Sequence, residues 1–178
     1  APADVVELQG ENTLFSLEPS LILDTRDSRM FPSSGARIKL SAEYAGQILP
    51  GDFDYNKVKF ESKFYYTLLE TASSLKHILR TNFVFGWAVP RRTKTTVPIF
   101  EKFFAGGRAS IRGFEYRGLG PHENGDPTGG NAFLFGSVEY TFPIFSSILR
   151  GAVFYDIANL TNDLRGLSTT RFRNSIGF

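Results

Sequence analysis

From Arg37 to Tyr44 the chain alternates without a fault. Arg37, Lys39, Ser41 and Glu43 fall on one side, and Ile38, Leu40, Ala42 and Tyr44 on the other. A period of two sends successive side chains to opposite faces and predicts a strand. The same period returns along the chain. Tyr55 to Leu68 sets Lys57, Lys59, Glu61, Lys63 and Thr67 against Val58, Phe60, Phe64, Tyr66 and Leu68. Leu75 to Val89 sets Lys76, Arg80, Asn82 and Gly86 against Leu75, His77, Leu79, Phe83, Phe85, Trp87 and Val89. An amphipathic helix fails there, because Phe83, Phe85 and Trp87 keep strictly to alternate positions. Further strands are expected at Leu14 to Asp24, weakened by Pro19 on the apolar face, at Asn131 to Phe142, at Arg150 to Leu160, and from Arg171 to Phe178. Residues 1–13 read as a loop.

The predicted strands are long, the polar faces carry full charges, and the opposite faces are aliphatic and aromatic. A soluble sandwich packs its apolar faces together and wets the charged ones. A membrane barrel turns its apolar face to lipid and its charged face inward. Period alone does not separate the two. Strand length and link lengths favour the barrel: the links near residues 28, 70 and 146 are fairly short, while those near 50, 110 and 165 are longer. Aromatics at 15% suit strands and likewise favour the barrel. The fold expected is therefore all-β, an antiparallel transmembrane β-barrel. About seven strands is an odd number and too few to close a bacterial barrel, which uses even numbers from about 8 upward. A piece of a larger barrel, or a half-barrel closing with a second copy, fits the count. No charged-then-apolar leader opens the chain, and its abrupt ending favours the piece.

Composition narrows the function. The chain has 178 residues and a formal net charge of +2, too small to argue for nucleic acid. It has no cysteine, hence no disulfide framework, thiolate metal site or cysteine nucleophile. No run of about 18 apolar residues predicts a transmembrane helix. His77 and His122 are too isolated to be metal ligands, and no serine–histidine–acid set is evident. Asn124, Asp126 and Thr128 read as a turn rather than a calcium loop, and the sequon at Asn159 as chance. No cofactor, metal or catalytic residue is expected, and the protein reads as a non-enzyme.

One stretch breaks the alternation. Phe103 to Gly120, FFAGGRASIRGFEYRGLG, carries Gly106, Gly107, Gly113, Gly118 and Gly120 with Arg108, Arg112 and Arg117. It lies within a long segment of about residues 90–130. The glycine loop lacks the lysine–serine ending of a phosphate-binding P-loop. Its aromatics and packed glycines argue for order. Arg112, between Ile111 and Phe114 with Gly113, predicts a loop folded back into an interior, where the guanidinium requires a buried acidic partner.

AGGRASIRGFEYRGLGP, GGNAFLFGSVEYTFP and GAVFYDIAN, with LDTRDSRMFPSSG upstream, resemble the outer-membrane protein assembly superfamily and its bacterial surface-antigen barrel domain. The superfamily includes BamA, TamA, two-partner secretion transporters and organellar import barrels, and the resemblance covers about residues 15–178. It implies that the glycine segment is the sixth external loop, folded into the lumen, with Gly106, Gly107, Ile111, Arg112, Gly113 and Phe114 as its motif. It implies inner-wall partners for Arg112 at Glu139 and Asp156, both on the polar faces of their predicted strands. Ile111 stands where valine is commoner. Against a sixteen-stranded member the chain matches roughly strands eight to fourteen, so the whole chain is one partial barrel domain without the periplasmic POTRA domains. The function implied is folding and insertion of other barrel proteins in an outer membrane, bacterial or organellar. Its partners would be membrane lipids, unfolded outer-membrane clients and accessory assembly subunits. A secretion barrel, a barrel anchor of a fused enzyme, and a soluble sandwich that binds a partner are the alternatives. Lys57, Lys59, Lys63, Lys76 and Arg80 read as a wet, lumen-facing wall, and Tyr66 and Trp87 as interfacial anchors.

Overall fold

The structure, a computed structural model, describes residues 10–46, 50–71, 74–91, 96–108, 110–145, 149–167 and 172–178. Residues 1–9 of the loop expected at 1–13, the link at Ser146-Ser147, most of the basic run after Pro90, and Arg171 lie outside these residues. The strands are β1 (Ser16–Leu17), β2 (Ser20–Asp24), β3 (Gly35–Ala45), β4 (Tyr55–Glu70), β5 (Lys76–Pro90), β6 (His122–Glu123), β7 (Asp126–Pro127), β8 (Ala132–Pro143), β9 (Arg150–Thr161) and β10 (Arg173–Gly177). All but β6 and β7, which form a small hairpin, belong to one antiparallel sheet. Its spatial order is β1, β3, β4, β5, β8, β9, β10, with β2 also on β3. Among the described residues the sheet does not close on itself. No described helix is long and apolar enough to cross a membrane.

The expected strand at Leu14 to Asp24 is two pieces. β1 and β2 pair with β3 in a single unbroken register, Ser16 opposite Ala45 and Asp24 opposite Arg37. The interruption falls at Glu18-Pro19. Proline has no N–H to give to the ladder, while its carbonyl still accepts from the Ala42 N–H at 3.1 Å. β4 carries an irregularity between Thr67 and Leu69. The extra residue there is absorbed before the link to β5.

The links alternate between the two ends of the sheet. The link between β2 and β3 is tied by Asp27, which accepts from the Ser33 hydroxyl and from the backbone N–H groups of Ser28, Ser33 and Ser34. These donors, the Ser33 hydroxyl first, hold the Asp27 carboxyl well below the usual carboxylate range. Beside it Arg26 makes a two-pronged contact with Asp24, both bonds at 2.8 Å.

The two faces of the sheet differ. The outer face presents large apolar side chains, with Leu21, Leu23, Tyr66, Tyr155 and Ile176 among the exposed ones. A soluble fold would bury such a face; a lipid-facing one leaves it bare of protein. The inner face has two zones. One row of directly opposed residues is polar from end to end: Asp24, Arg37, Lys63, Asn82, Ser137, Asp156 and Ser175. One and two rows further on, β5, β8 and β9 supply Val84, Phe135 and Ala158, then Gly86, Phe133 and Leu160. Phe133 and Phe135 share the face of Ser137 and Glu139, so the inner wall is not uniformly polar.

The long segment between β5 and β8 covers that apolar zone. Phe103, Ala105, Ile111 and Leu119 from the segment form one buried cluster with Phe133, Phe135, Ala158 and Leu160 from the wall. Phe103 stacks on Phe133 with ring centroids 6.2 Å apart. Gly86 makes room for it: a Cβ there would stand 2.5 Å from the Phe103 ring. We expect Gly86→Val to displace Phe103 and destabilise the barrel by about 1–3 kcal/mol. Urea or thermal unfolding of the full-length protein in lipid measures this, and an unchanged midpoint would contradict the packing.

Candidate functional site

The loop enters along its wall and turns at glycines. The Phe103 N–H donates to the Gly130 carbonyl and the Gly130 N–H returns to Phe103, each at 2.9 Å, closing the base of the segment. A second tie joins the Leu119 N–H to the Ala105 carbonyl at 3.0 Å. Between these ties the chain makes tight turns. Gly106 sits at φ +116° with the Glu115 carbonyl oxygen 2.1 Å from where a Cβ would be. No other residue fits there. The Gly106 N–H donates to the Ser110 hydroxyl at 2.8 Å and the Gly107 N–H to the Phe114 carbonyl at 3.0 Å. These bonds fold the tip so that Ile111 is fully buried in the apolar cluster while the next residue, Arg112, reaches the polar rows. Gly113 follows at φ +82°. Its surroundings are open, the nearest atom to an added Cβ being Ser175 Cβ at 3.7 Å, so the backbone angle is what favours glycine there. Phe114 is half-buried against the cluster.

The guanidinium of Arg112 meets a prepared surface. Its Nε donates to Asp156 Oδ2 and its Nη2 to Asp156 Oδ1, both at 2.8 Å, and its backbone N–H adds a third bond to Oδ2 at 3.1 Å. Nη1 donates to Glu139 Oε2 at 2.5 Å, and Nη2 also reaches the Ser137 hydroxyl at 3.3 Å. The Ser137 hydroxyl donates to Asp156 Oδ1 at 2.7 Å. Asp156 is fully buried. The flat face of the guanidinium lies 3.4 Å from the Phe154 ring centroid, a stacked cation–π contact. Gly177 on β10 lets that ring lie close, since a Cβ there would stand 2.6 Å from it. The planar fork thus meets carboxylates along its edge and an aromatic ring on its face, a geometry that lysine does not reproduce. Asp156, then Glu139, push the Arg112 guanidinium further above its already high range.

Arg112, Glu139 and Asp156 therefore come together, with Ile111, Gly113 and Phe114 beside them. Gly106 and Gly107 shape the turn behind. Phe154, Ser137, Arg80 and Gly177 also belong to the cluster and were not singled out from the sequence as parts of it. The alternation could have pointed to Phe154, which shares a face with Asp156, but only the register brings Arg80 opposite Glu139. Arg80 Nη2 donates to Glu139 Oε2 at 3.1 Å. Arg80 and Lys57 are thus not simply wet-wall residues. Lys57 Nζ donates to Glu101 Oε2 at 2.7 Å, tying the start of the loop to β4. Among the described residues no group of three or more His, Asp or Glu is arranged to hold a metal.

Comparison with known proteins gives a consistent result. The family model for the Omp85 superfamily domain matches residues 3–177. The chain is 30% identical over 164 residues to "Sorting and assembly machinery component 50 homolog A" of Xenopus laevis, covering 88% of this chain and 34% of that protein. It is 34% identical over 140 residues to "Outer membrane protein assembly factor BamA" of Nitratidesulfovibrio vulgaris, covering 76% of this chain and 17% of that one. Among solved structures, BamA from Haemophilus ducreyi lacking POTRA domains 1–3 superposes with a TM-score of 0.76 over 92% of this chain and 35% of that chain, at 24% identity. That likeness is one of fold, an outer-membrane β-barrel. The chain spans about a third or less of the length of these relatives.

Removing one partner of the buried pair leaves the other uncompensated. We expect Arg112→Ala and Asp156→Ala each to cost about 3–5 kcal/mol of loop-seating or barrel stability, and the double variant to cost much less than the sum. A double-mutant cycle on unfolding of the full-length protein in lipid reads the coupling; strict additivity would contradict a direct pair.

Proposed function

Because this chain belongs to the Omp85 superfamily, we propose that it is part of an outer-membrane β-barrel that folds and inserts other β-barrel proteins. Residues 1–178 form one portion of that barrel, and the segment of about residues 90–130 is its re-entrant loop. The Arg112 clamp on Asp156 and Glu139 is the observation that carries the reading. Together with the family and with relatives bearing assembly names, it supports a barrel with an internal brace.

The mechanism makes and breaks no covalent bond. The loop motif Gly106, Gly107, Ile111, Arg112, Gly113 and Phe114 forms the moving part, and Glu139 and Asp156 form its seat. With Arg112 seated, the loop ties β8 and β9 together from inside and stiffens the wall. Client strands add to an edge of the barrel through main-chain hydrogen bonds, the general mode of β-augmentation. The partners are then membrane lipids, unfolded barrel clients and accessory assembly subunits, and the site of action is an outer membrane, bacterial or organellar.

Arg112→Glu places a third carboxylate against two others. In vesicles carrying the full-length protein, we expect this variant to lose at least about tenfold in client insertion rate, the order of a few kcal/mol lost at the brace. Protease protection of a newly folded barrel client measures it. Passage of a soluble polypeptide into the vesicle, without barrel insertion, would favour a secretion barrel instead. Wild-type insertion by Arg112→Glu would overturn the bracing role.

A further inference from the structure

Glu139 accepts from two arginines that come from different parts of the fold. Arg112 Nη1 and Arg80 Nη2 meet the same oxygen, Oε2, at 2.5 and 3.1 Å. Arg112 belongs to the loop. Arg80 stands directly across the β5–β8 ladder from Glu139, so the sheet register holds that pair whether or not the loop is seated. Asp156 has a similar provision. Ser137 lies directly across the β8–β9 ladder and donates to it at 2.7 Å. Each acid of the seat therefore has a partner of its own on the neighbouring strand.

The charges then fix a direction. With the loop seated, two cations and two carboxylates sum to zero, but Arg80 and Arg112 share an oxygen and repel. With the loop withdrawn, Glu139 keeps Arg80, and the wall is left with one uncompensated carboxylate instead of two. Like charges on adjacent strands oppose each other. Arg80 thus disfavours the seated state slightly and favours the withdrawn state more. Arg80 keeps 38% of its side chain exposed with the loop seated.

We propose that Arg80 is a stand-in counter-ion: it takes over Glu139 when Arg112 leaves, and so makes seating of the loop reversible. This rests on the bracing role of Arg112. A buttress that merely held Glu139 towards Arg112 would have the opposite effect, because its removal would loosen the loop.

A single thiol reads the difference. The chain has no cysteine. Ala105 is 1% exposed between loop and wall, and Ala105→Cys adds only a sulfur. In full-length protein otherwise free of cysteine, held in phospholipid vesicles, labelling by a polar maleimide proceeds as the loop unseats. Arg80→Gln, and Arg80→Met as a second neutral variant, are expected to label about threefold more slowly or slower still. Arg80→Lys, which keeps the charge, labels close to wild type. Faster or unchanged labelling in the neutral variants overturns the proposal. Arg112→Ala separates the two ideas. If it does not speed labelling, the bracing role falls and the Arg80 role with it. If it does, and the neutral variants are not slowed, only the Arg80 role falls.

Discussion

The seating of the loop rests on a single guanidinium matched along its edge and on its face. Arg112 faces two carboxylates along its edge and Phe154 on its face, and Asp156 has no solvent exposure at all. An arginine carried into an interior is costly unless its donors are matched, and a carboxylate as buried as Asp156 is costly without a cation. Each justifies the burial of the other. The glycines of the tip follow from the same requirement. A backbone that delivers Ile111 into an apolar cluster and Arg112 into a polar row, one residue apart, has to turn where a Cβ would collide.

The wall is built to receive that step. Its inner face changes character within two rows, from Ser137 and Asp156 to Phe135 and Ala158 and then to Phe133 and Leu160. The loop matches it, with Ile111, Leu119 and Phe103 over the apolar rows and Arg112 over the polar ones. A sheet slipped by one residue would turn both zones outward. Register and loop therefore specify each other: the register sets the acids and aromatics in place, and the loop covers a patch that would otherwise face an aqueous lumen.

Much of this was legible in the sequence because alternation is a local property. The long strands and their polar faces follow from period two, and Arg112 set between an aliphatic and an aromatic residue in a glycine-rich stretch signals a buried charge. The link lengths do not follow from it, since the link expected short near residue 28 is as long as the one near 50. What escaped depends on register, which no single strand encodes. Arg80 reads as one more lumen cation until the ladder sets it opposite Glu139, and Lys57 likewise until the loop brings Glu101 to it. Phe133 and Phe135 sit on a face otherwise read as wet, because the cover that keeps them dry is distant in sequence. Pro19 weakened the first strand as expected, yet the strand resumes in the same register, since one missing donor interrupts a ladder without shifting it.

The ion-pair attachments of the loop at its entry and at its tip are unequal. At its entry, Lys57 and Glu101 form one contact with side chains about one-fifth exposed, at 20% and 22%. A single lysine–carboxylate contact is one charge-assisted bond. At the tip, one side chain makes several charge-assisted bonds to a fully buried acid, beside an apolar cluster. The entry is held further by the Phe103–Gly130 backbone bonds and by Phe103 on Phe133, whereas Arg112 and Ile111 hold the tip together. Bidentate geometry and buried apolar contact are carried there by adjacent residues on one tight turn, so neither is lost without straining the other.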